Sequence, residues 1–260
     1  MNEYRPPSFG LFPPVVKNLL IANVLFFIAT LVIQSSFHYD LTYGFGLHYF
    51  LSNDFKIYQF VTYMFLHGGF AHIAFNMFAL WMFGNVLENF WGSKRFLIFY
   101  VVCGLGAGLT QEITEYIYLH GVQNAINVYN TSPNTNDFSL LVQKYFSTIT
   151  FPQPQTNSES ISVLSQLYQF KIDHMPPVIG ASGAIFGVLL AFGMLFPNTL
   201  LYVYFAIPIK AKYFVVIYGL IELYSGLANN PEDNVAHFAH LGGMVFGLIL
   251  ILYWKQKRTL

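Results

Sequence analysis

Five long stretches of this chain contain no aspartate, glutamate, lysine or arginine: Asn18–Tyr39, Ile57–Leu87, Phe96–Gln111, His174–Ile209 and Asn234–Trp254. A helix needs about 20 mostly apolar residues to cross a bilayer, so these runs call for a fold solvated by lipid. The fourth run holds one span plus a turn, and Pro197 and Asn198 end that span. A shorter apolar run, Tyr213–Leu227, is interrupted only by Glu222 and reads as a further span. Six helices are therefore expected, at 15–37, 64–87, 95–117, 178–196, 210–228 and 235–254. The fold class is all-α, a polytopic membrane protein. The first apolar segment has no convincing small-residue cleavage site behind it and reads as a retained span rather than a signal peptide.

Composition excludes several alternatives. Only 9% of the residues are charged, with 12 basic against 12 acidic, where soluble domains run near ~25%. A disordered chain, a coiled coil and a nucleic-acid binder all need more charge than this. The lone cysteine, Cys103, excludes a disulfide framework and a cysteine-based zinc site.

The basic residues orient the spans. With the N-terminus inside, the inner side holds Arg5, Lys17, Lys94, Arg95, Lys210, Lys212, Lys255, Lys257 and Arg258, and the outer side only Lys56, Lys144 and Lys171. Both termini are expected to be cytoplasmic, in a bacterial inner membrane. The chain divides into spans one to three with an N-terminal tail (1–119), an outer-side insertion (120–177) and spans four to six with a basic tail (178–260), one domain overall. The insertion is rich in Asn, Ser, Thr, Gln and Pro, and Phe138–Ile149 and Ile161–Ile172 have the spacing of short amphipathic helices. It reads either as a cap that gates substrate or as a decoration of the fold.

Polar groups inside a membrane are costly and either pair with one another or mark a site. Here they cluster. The second span carries His67, His72 and Asn76; the fourth opens with Gly180-Ala181-Ser182-Gly183; the sixth opens with His237-Phe238-Ala239-His240. All three helices enter from the outer face, which places these residues at similar shallow depths. Gly183 and Gly187 are four apart, as are Gly243 and Gly247, and such small faces let membrane helices approach closely. If the two glycine faces meet, Ser182 and His240 come within hydrogen-bond distance, and Phe186, one turn below Ser182, packs against the imidazole.

A serine hydroxyl becomes a nucleophile when a neighbouring imidazole takes its proton. The oxyanion that forms needs donors, and Asn76, His72 and the Ser182 backbone N–H are donors of that kind. The second, fourth and sixth spans offer no acid beside these groups, so the expectation is a dyad without a third member. His67 and His237 read as structural hydrogen-bond partners, and Glu88 with Arg95 as a loop anchor.

These residues resemble the rhomboid family of intramembrane serine proteases. The Gly-x-Ser-Gly signature stands at Gly180–Gly183, and Ala-His-x-x-Gly-x-x-x-Gly at Ala239, His240, Gly243 and Gly247. The second-span pattern stands at His67, His72 and Asn76, and the Gly-x-x-x-Glu-x-x-x-Gly stretch at Gly84, Glu88 and Gly92. The resemblance implies a six-helix rhomboid-like bundle of bacterial type, with a long outer loop between spans three and four. It implies Ser182 as nucleophile, His240 rather than His237 as base, and an oxyanion hole of His72, Asn76 and the Ser182 amide. Gly180, Gly183, Phe186, Gly243 and Gly247 support them. The implied substrates are single-span or other membrane-anchored proteins in the lipid bilayer, cut near the outer surface with no metal or organic cofactor and no nucleic acid.

The competing class is a catalytically inactive rhomboid-like protein that binds membrane clients. A transporter would show charged pathway residues or an internal repeat, and neither is present. The chain has no His-Glu-x-x-His pair for zinc and no span with two aspartates. Ala184 stands where the soluble-hydrolase Gly-x-Ser-x-Gly elbow needs its second glycine.

Overall fold

The computed structural model describes residues 11–203, 206–228 and 235–257; Arg5 and Arg258 lie outside the described residues. The elements, in order, are α1 (Pro14–Phe37), α2 (Leu41–Phe45), α3 (Gln59–Thr62) running into a 3-10 turn at Tyr63–Phe65, α4 (Phe70–Ala79), a π-helical turn at Leu80–Gly84, and α5 (Asn85–Trp91). They continue with α6 (Ser93–Thr131), α7 (Thr135–Tyr145), α8 (Asn157–Asp173) and α9 (Ser182–Leu195). A hairpin of β1 (Leu200–Val203) and β2 (Ile207–Lys210), then α10 (Ala211–Ala228) and α11 (His237–Gln256), follow. Five helices are long and apolar enough to cross a membrane: α1, the continuous run Phe70–Trp91, α6, α10 and α11. The chain forms two compact units, Met1–Leu47 with Ile57–Gln111 and Val178–Leu260, and His48–Lys56 with Glu112–Pro177.

Three expectations need adjustment. The second span begins at Phe70 and not at 64, because Gly68 and Gly69 interrupt the helix; His67 therefore lies on non-helical chain ahead of it. The third helix does not stop at 117 but runs to Thr131. A helix need not end where its membrane-compatible stretch does, and Leu119, Val122, Ile126 and Tyr129 continue an apolar stripe that the second unit buries. The fourth span is shorter than expected: Val178–Ala181 is not helical, and α9 has only 14 residues, about 21 Å of rise. Between α9 and α10, β1 and β2 form an antiparallel hairpin that no sequence expectation covered, with Leu200 opposite Lys210 and Tyr202 opposite Pro208.

The short α9 is tolerated because it is the central helix of the first unit. Ten of its 14 residues are buried, so most of it is packed in protein instead of lipid, where irregular backbone beside it keeps its hydrogen bonds. Exposed apolar surface includes Leu25 and Leu31 on α1, Phe75 on α4, Ile98 on α6, Val216 and Leu220 on α10, and Ile249 and Leu252 on α11.

Glu88 ties the first unit together. Helix α1 starts after Pro13 with no side-chain cap of its own, and the first N–H groups of any helix are orphaned. The buried Glu88 carboxylate accepts Val15 N–H at 2.9 Å, Val16 N–H at 2.7 Å and the Ser93 hydroxyl at 2.6 Å. One side chain thus caps α1 and holds the start of α6. Glu88→Ala is expected to cost about 2–3 kcal/mol, the range for losing buried bonds to a charged acceptor. Thermal unfolding in detergent checks this, and an unchanged midpoint would refute the anchor.

In the second unit, α7 and α8 are capped by Asn134, which accepts Asp137 N–H, and by Thr156, which accepts Glu159 N–H. They close over Val122, Ile126 and Tyr129 with Phe138, Phe146, Leu164 and Leu167. The Tyr129 and Ser160 hydroxyls bond at 2.6 Å inside this core.

Candidate active site

Ser182 is the first residue of α9, and the chain delivers it by a fixed route. Leu47 and Val178 exchange both backbone hydrogen bonds, at 2.9 and 2.8 Å, and Gly180 N–H donates to Tyr63 O at 2.9 Å. Tyr63 is itself held through its hydroxyl on Gly104 O, at 2.7 Å. Gly180 has φ +126°, a region closed to ordinary L residues. A Cβ there would also lie 2.8 Å from His72 Nε2 and 3.4 Å from Ser182 Oγ. Glycine at 180 thus leaves a space flanked by the hydroxyl and by an imidazole N–H.

Helix α11 meets α9 through glycine. A side chain on Gly243 would strike the Gly183 carbonyl oxygen, one on Gly187 would lie 2.9 Å from Gly243 O, and one on Gly247 3.4 Å from Gly187 Cα. Backbone-to-backbone packing of this kind is what small-xxx-small faces allow. It places His240 Nε2 2.8 Å from Ser182 Oγ. The His240 ring lies flat on Phe186, with centroids 4.1 Å apart and planes 7° from parallel, and Phe186 stacks in turn on Tyr218 at 5.3 Å.

On α4, His72 and Asn76 are the third and seventh residues and share a face. The Gly68 N–H lies 3.4 Å from His72 Nδ1, a long bond that makes this nitrogen the acceptor and leaves the proton on Nε2, beside Gly180. The buried Asn76 Nδ2 finds no hydrogen-bond partner among the described residues. A buried amide left unpaired costs about 1–3 kcal/mol, and here the orphan is a donor on the helix face that carries His72. His67 is buried with its ring edge-on to His72, centroids 4.9 Å apart.

One residue of this site escaped the sequence reading. Helix α10 buries only Ala211, Val215 and Glu222, and the Glu222 carboxylate reaches α11. Its Oε2 lies 2.8 Å from His240 Nδ1 and 2.6 Å from His237 Nδ1. The expectation that no acid stands beside the dyad is therefore corrected: the acid comes from the fifth span. The available signal was a single carboxylate in an otherwise apolar span, which by its cost alone marks a candidate site. Glu222, His237 and His240 each offer one ligand atom within 4.8 Å of one another. Their 2.6 and 2.8 Å contacts match charge-assisted hydrogen bonds and are tighter than the spacing of about 3.4 Å between ligands around a tetrahedral zinc.

The Rhomboid domain family matches residues 54–126 and 154–257, more than half of the chain, including His72, Asn76, Ser182, Glu222, His237 and His240. The chain belongs to the rhomboid family. With its apolar helices, it is an integral multi-pass membrane protein of mainly helical, rhomboid-like architecture. It is 28% identical over 208 residues to an uncharacterized mitochondrial rhomboid protein of Schizosaccharomyces pombe, covering 76% of this chain and 51% of the relative. It is 45% identical over 53 residues to the rhomboid protease GluP of Bacillus subtilis, covering 20% of this chain and 10% of that one. With the rhomboid protease GlpG of Haemophilus influenzae it shares 27% identity over 116 residues, 44% of this chain and 60% of the relative. The chain spans less than two thirds of the length of each of these rhomboid relatives.

Proposed function

We propose that the chain is an intramembrane serine endopeptidase that cleaves membrane-anchored proteins, single-span ones foremost, near the outer membrane surface. The observation that carries this reading is the 2.8 Å bond between Ser182 Oγ and His240 Nε2, made across two helices and stacked on Phe186. Family membership and relatives named as rhomboid proteases support it. Ser182 Oγ attacks the scissile carbonyl as its proton passes to His240 Nε2. That proton then goes to the leaving amide nitrogen, the C–N bond breaks, and an acyl-enzyme remains. His240 next takes a proton from water as the water oxygen attacks the ester, then returns that proton to Ser182 Oγ as the acyl C–O bond breaks and the new carboxyl end leaves.

The oxyanion of each tetrahedral intermediate is received by Asn76 Nδ2, His72 Nε2 and the Ser182 N–H at the start of α9. The Asn76 amide, which finds no hydrogen-bond partner among the described residues, supports that role. A helical peptide bond is shielded from attack, so substrates with small or helix-weakening residues at the cut are favoured. The excess of Lys17, Lys94, Arg95, Lys210, Lys212, Lys255 and Lys257 at one set of helix ends supports cytoplasmic termini, and we place the protein in a bacterial inner membrane.

The direct test is a fluorophosphonate probe on the purified protein, with the adduct located by mass spectrometry. An adduct on Ser182 is expected; labelling elsewhere, or none, rejects a serine mechanism. Asn76→Ala is expected to lower the cleavage rate by about 10²–10³-fold, the usual loss for one oxyanion donor, with thermal stability unchanged or raised as the orphan amide goes. A wild-type rate would remove Asn76 from the hole.

A further inference from the structure

We propose that Glu222 is a positioning residue of the catalytic site. It holds His240 in the one tautomer that can take the serine proton, and His237 locks the carboxylate in place. This rests on the serine–histidine reading above and extends it from a pair to a relay of four side chains on three helices.

An ionised carboxylate only accepts hydrogen bonds. Its contacts with both Nδ1 atoms, at 2.8 Å to His240 and 2.6 Å to His237, therefore place a proton on each of them. A neutral imidazole carries one ring proton. With that proton on Nδ1, the lone pair of His240 is on Nε2, facing Ser182 Oγ at 2.8 Å. The reverse tautomer would present an N–H to the hydroxyl and could not act as base. Three contacts then fix the ring: Glu222 at one nitrogen, Ser182 at the other and Phe186 across its face.

His237 supplies the remaining constraint. Its ring stands at 90° to that of His240, and its Nδ1–H occupies a second acceptor direction of the same oxygen, so Oε2 is held from two sides. Placing a carboxylate among the few buried residues of α10 is expensive in an apolar span unless its hydrogen bonds are made. Packing alone would have been served by an aliphatic residue, like Val215 on the same helix. As the Ser182 proton moves to Nε2 the imidazole becomes a cation, and the Glu222 charge lies directly behind it. Once that proton passes to the leaving nitrogen the ring is neutral again, and Glu222 keeps its charge throughout.

The titratable groups around His240 are Glu222 on α10, with Tyr218 beyond Phe186; His237 on α11; and His72 on α4. Among these Glu222 alone carries negative charge at neutral pH. Its removal must disfavour the protonated ring.

The experiment uses the full chain in detergent, wild type beside Glu222→Gln, Glu222→Asp, Glu222→Ala, His237→Gln, Ser182→Ala and His240→Ala. Cleavage and fluorophosphonate labelling rates are read across the pH range around neutrality, with folded protein quantified by thermal unfolding. Glu222→Ala is expected to slow both reactions on the order of 10- to 100-fold, below the loss of about 10²–10⁴-fold for removing a general base itself, because the base remains and only its positioning is lost. In Glu222→Gln the acidic limb of the rate profile moves to lower pH, because the imidazolium has lost its counter-charge. Glu222→Asp recovers part of the rate, and His237→Gln shows a smaller loss of the same kind. The profile's shape does not depend on how much protein is folded, so it separates positioning from simple destabilisation. A wild-type rate and profile in Glu222→Gln, or losses that only track unfolded protein, overturn the assignment while dead Ser182→Ala and His240→Ala variants leave the dyad standing. Cleavage that survives in Ser182→Ala rejects the serine reading and this one with it.

Discussion

Ser182→Ala is expected to reduce cleavage of a single-span substrate by on the order of 10⁴–10⁶-fold, the loss seen when a nucleophile that works with its base is removed. His240→Ala should fall as far, and the double variant no further. Once either member of the Ser182 Oγ–His240 Nε2 pair is gone, the other has nothing to act on. This non-additivity is the sharper half of the result. Two independent contributions would multiply, and a multiplicative double variant would mean that the 2.8 Å contact is not the catalytic one. Both side chains sit at helix starts, with Ser182 first on α9 and His240 fourth on α11, so truncation to alanine leaves the glycine contact below them intact. Unfolding midpoints close to wild type are therefore expected. Measuring cleavage of one substrate by the four proteins, with midpoints taken in parallel, decides it.

Gly243→Ala is the second large effect. A single methyl at 243 would collide with the Gly183 carbonyl, which is backbone and cannot rotate away. Helices α9 and α11 must then separate, and the separation is passed directly to Ser182, which adjoins Gly183, and to His240, about one turn before Gly243. A misplacement of about 1 Å costs on the order of 10²-fold in rate, and overpacking costs about 1–3 kcal/mol in stability. Activity and unfolding midpoint are expected to fall together. Gly121→Ala is the control, since a Cβ on Gly121 meets nothing within 4 Å; it should leave activity unchanged. A fully active Gly243→Ala protein would refute the view that glycine packing sets the dyad distance.

Much of the fold was legible because its rules are local. Charge-free runs mark spans in any lipid-solvated chain, and five of the six expected helices appear as long apolar helices, with α9 as a shorter sixth. The motif residues were legible because a serine, histidines and an asparagine stand out against apolar surroundings. The errors also have local causes. Gly68 and Gly69 cut the second span short, and His67 leaves the helix with them. The third helix outruns its apolar stretch because its distal half, with Val122 and Ile126, buries in the second unit.

Glu222 shows the opposite limit. It lies 18 residues from His240 and on another helix, and no spacing rule joins them. Whether a lone carboxylate in a span faces lipid, a neighbour or a catalytic histidine depends on how the helix is rotated. The many apolar faces of α10 leave that rotation open when only its sequence is read.

By itself, the sequence determined that the chain lives in a membrane, roughly where its helices run, and that a serine, two donors and a histidine fall near the same ends of three of them. Hydrophobicity and residue spacing act along the chain and survive without a structure. Only the tertiary structure decided that the glycine faces of α9 and α11 touch, at what distance His240 meets the serine, and that the fifth span supplies the acid behind it. Those outcomes depend on helix rotation and on distances of a few tenths of an ångström, which side-chain packing between distant segments sets.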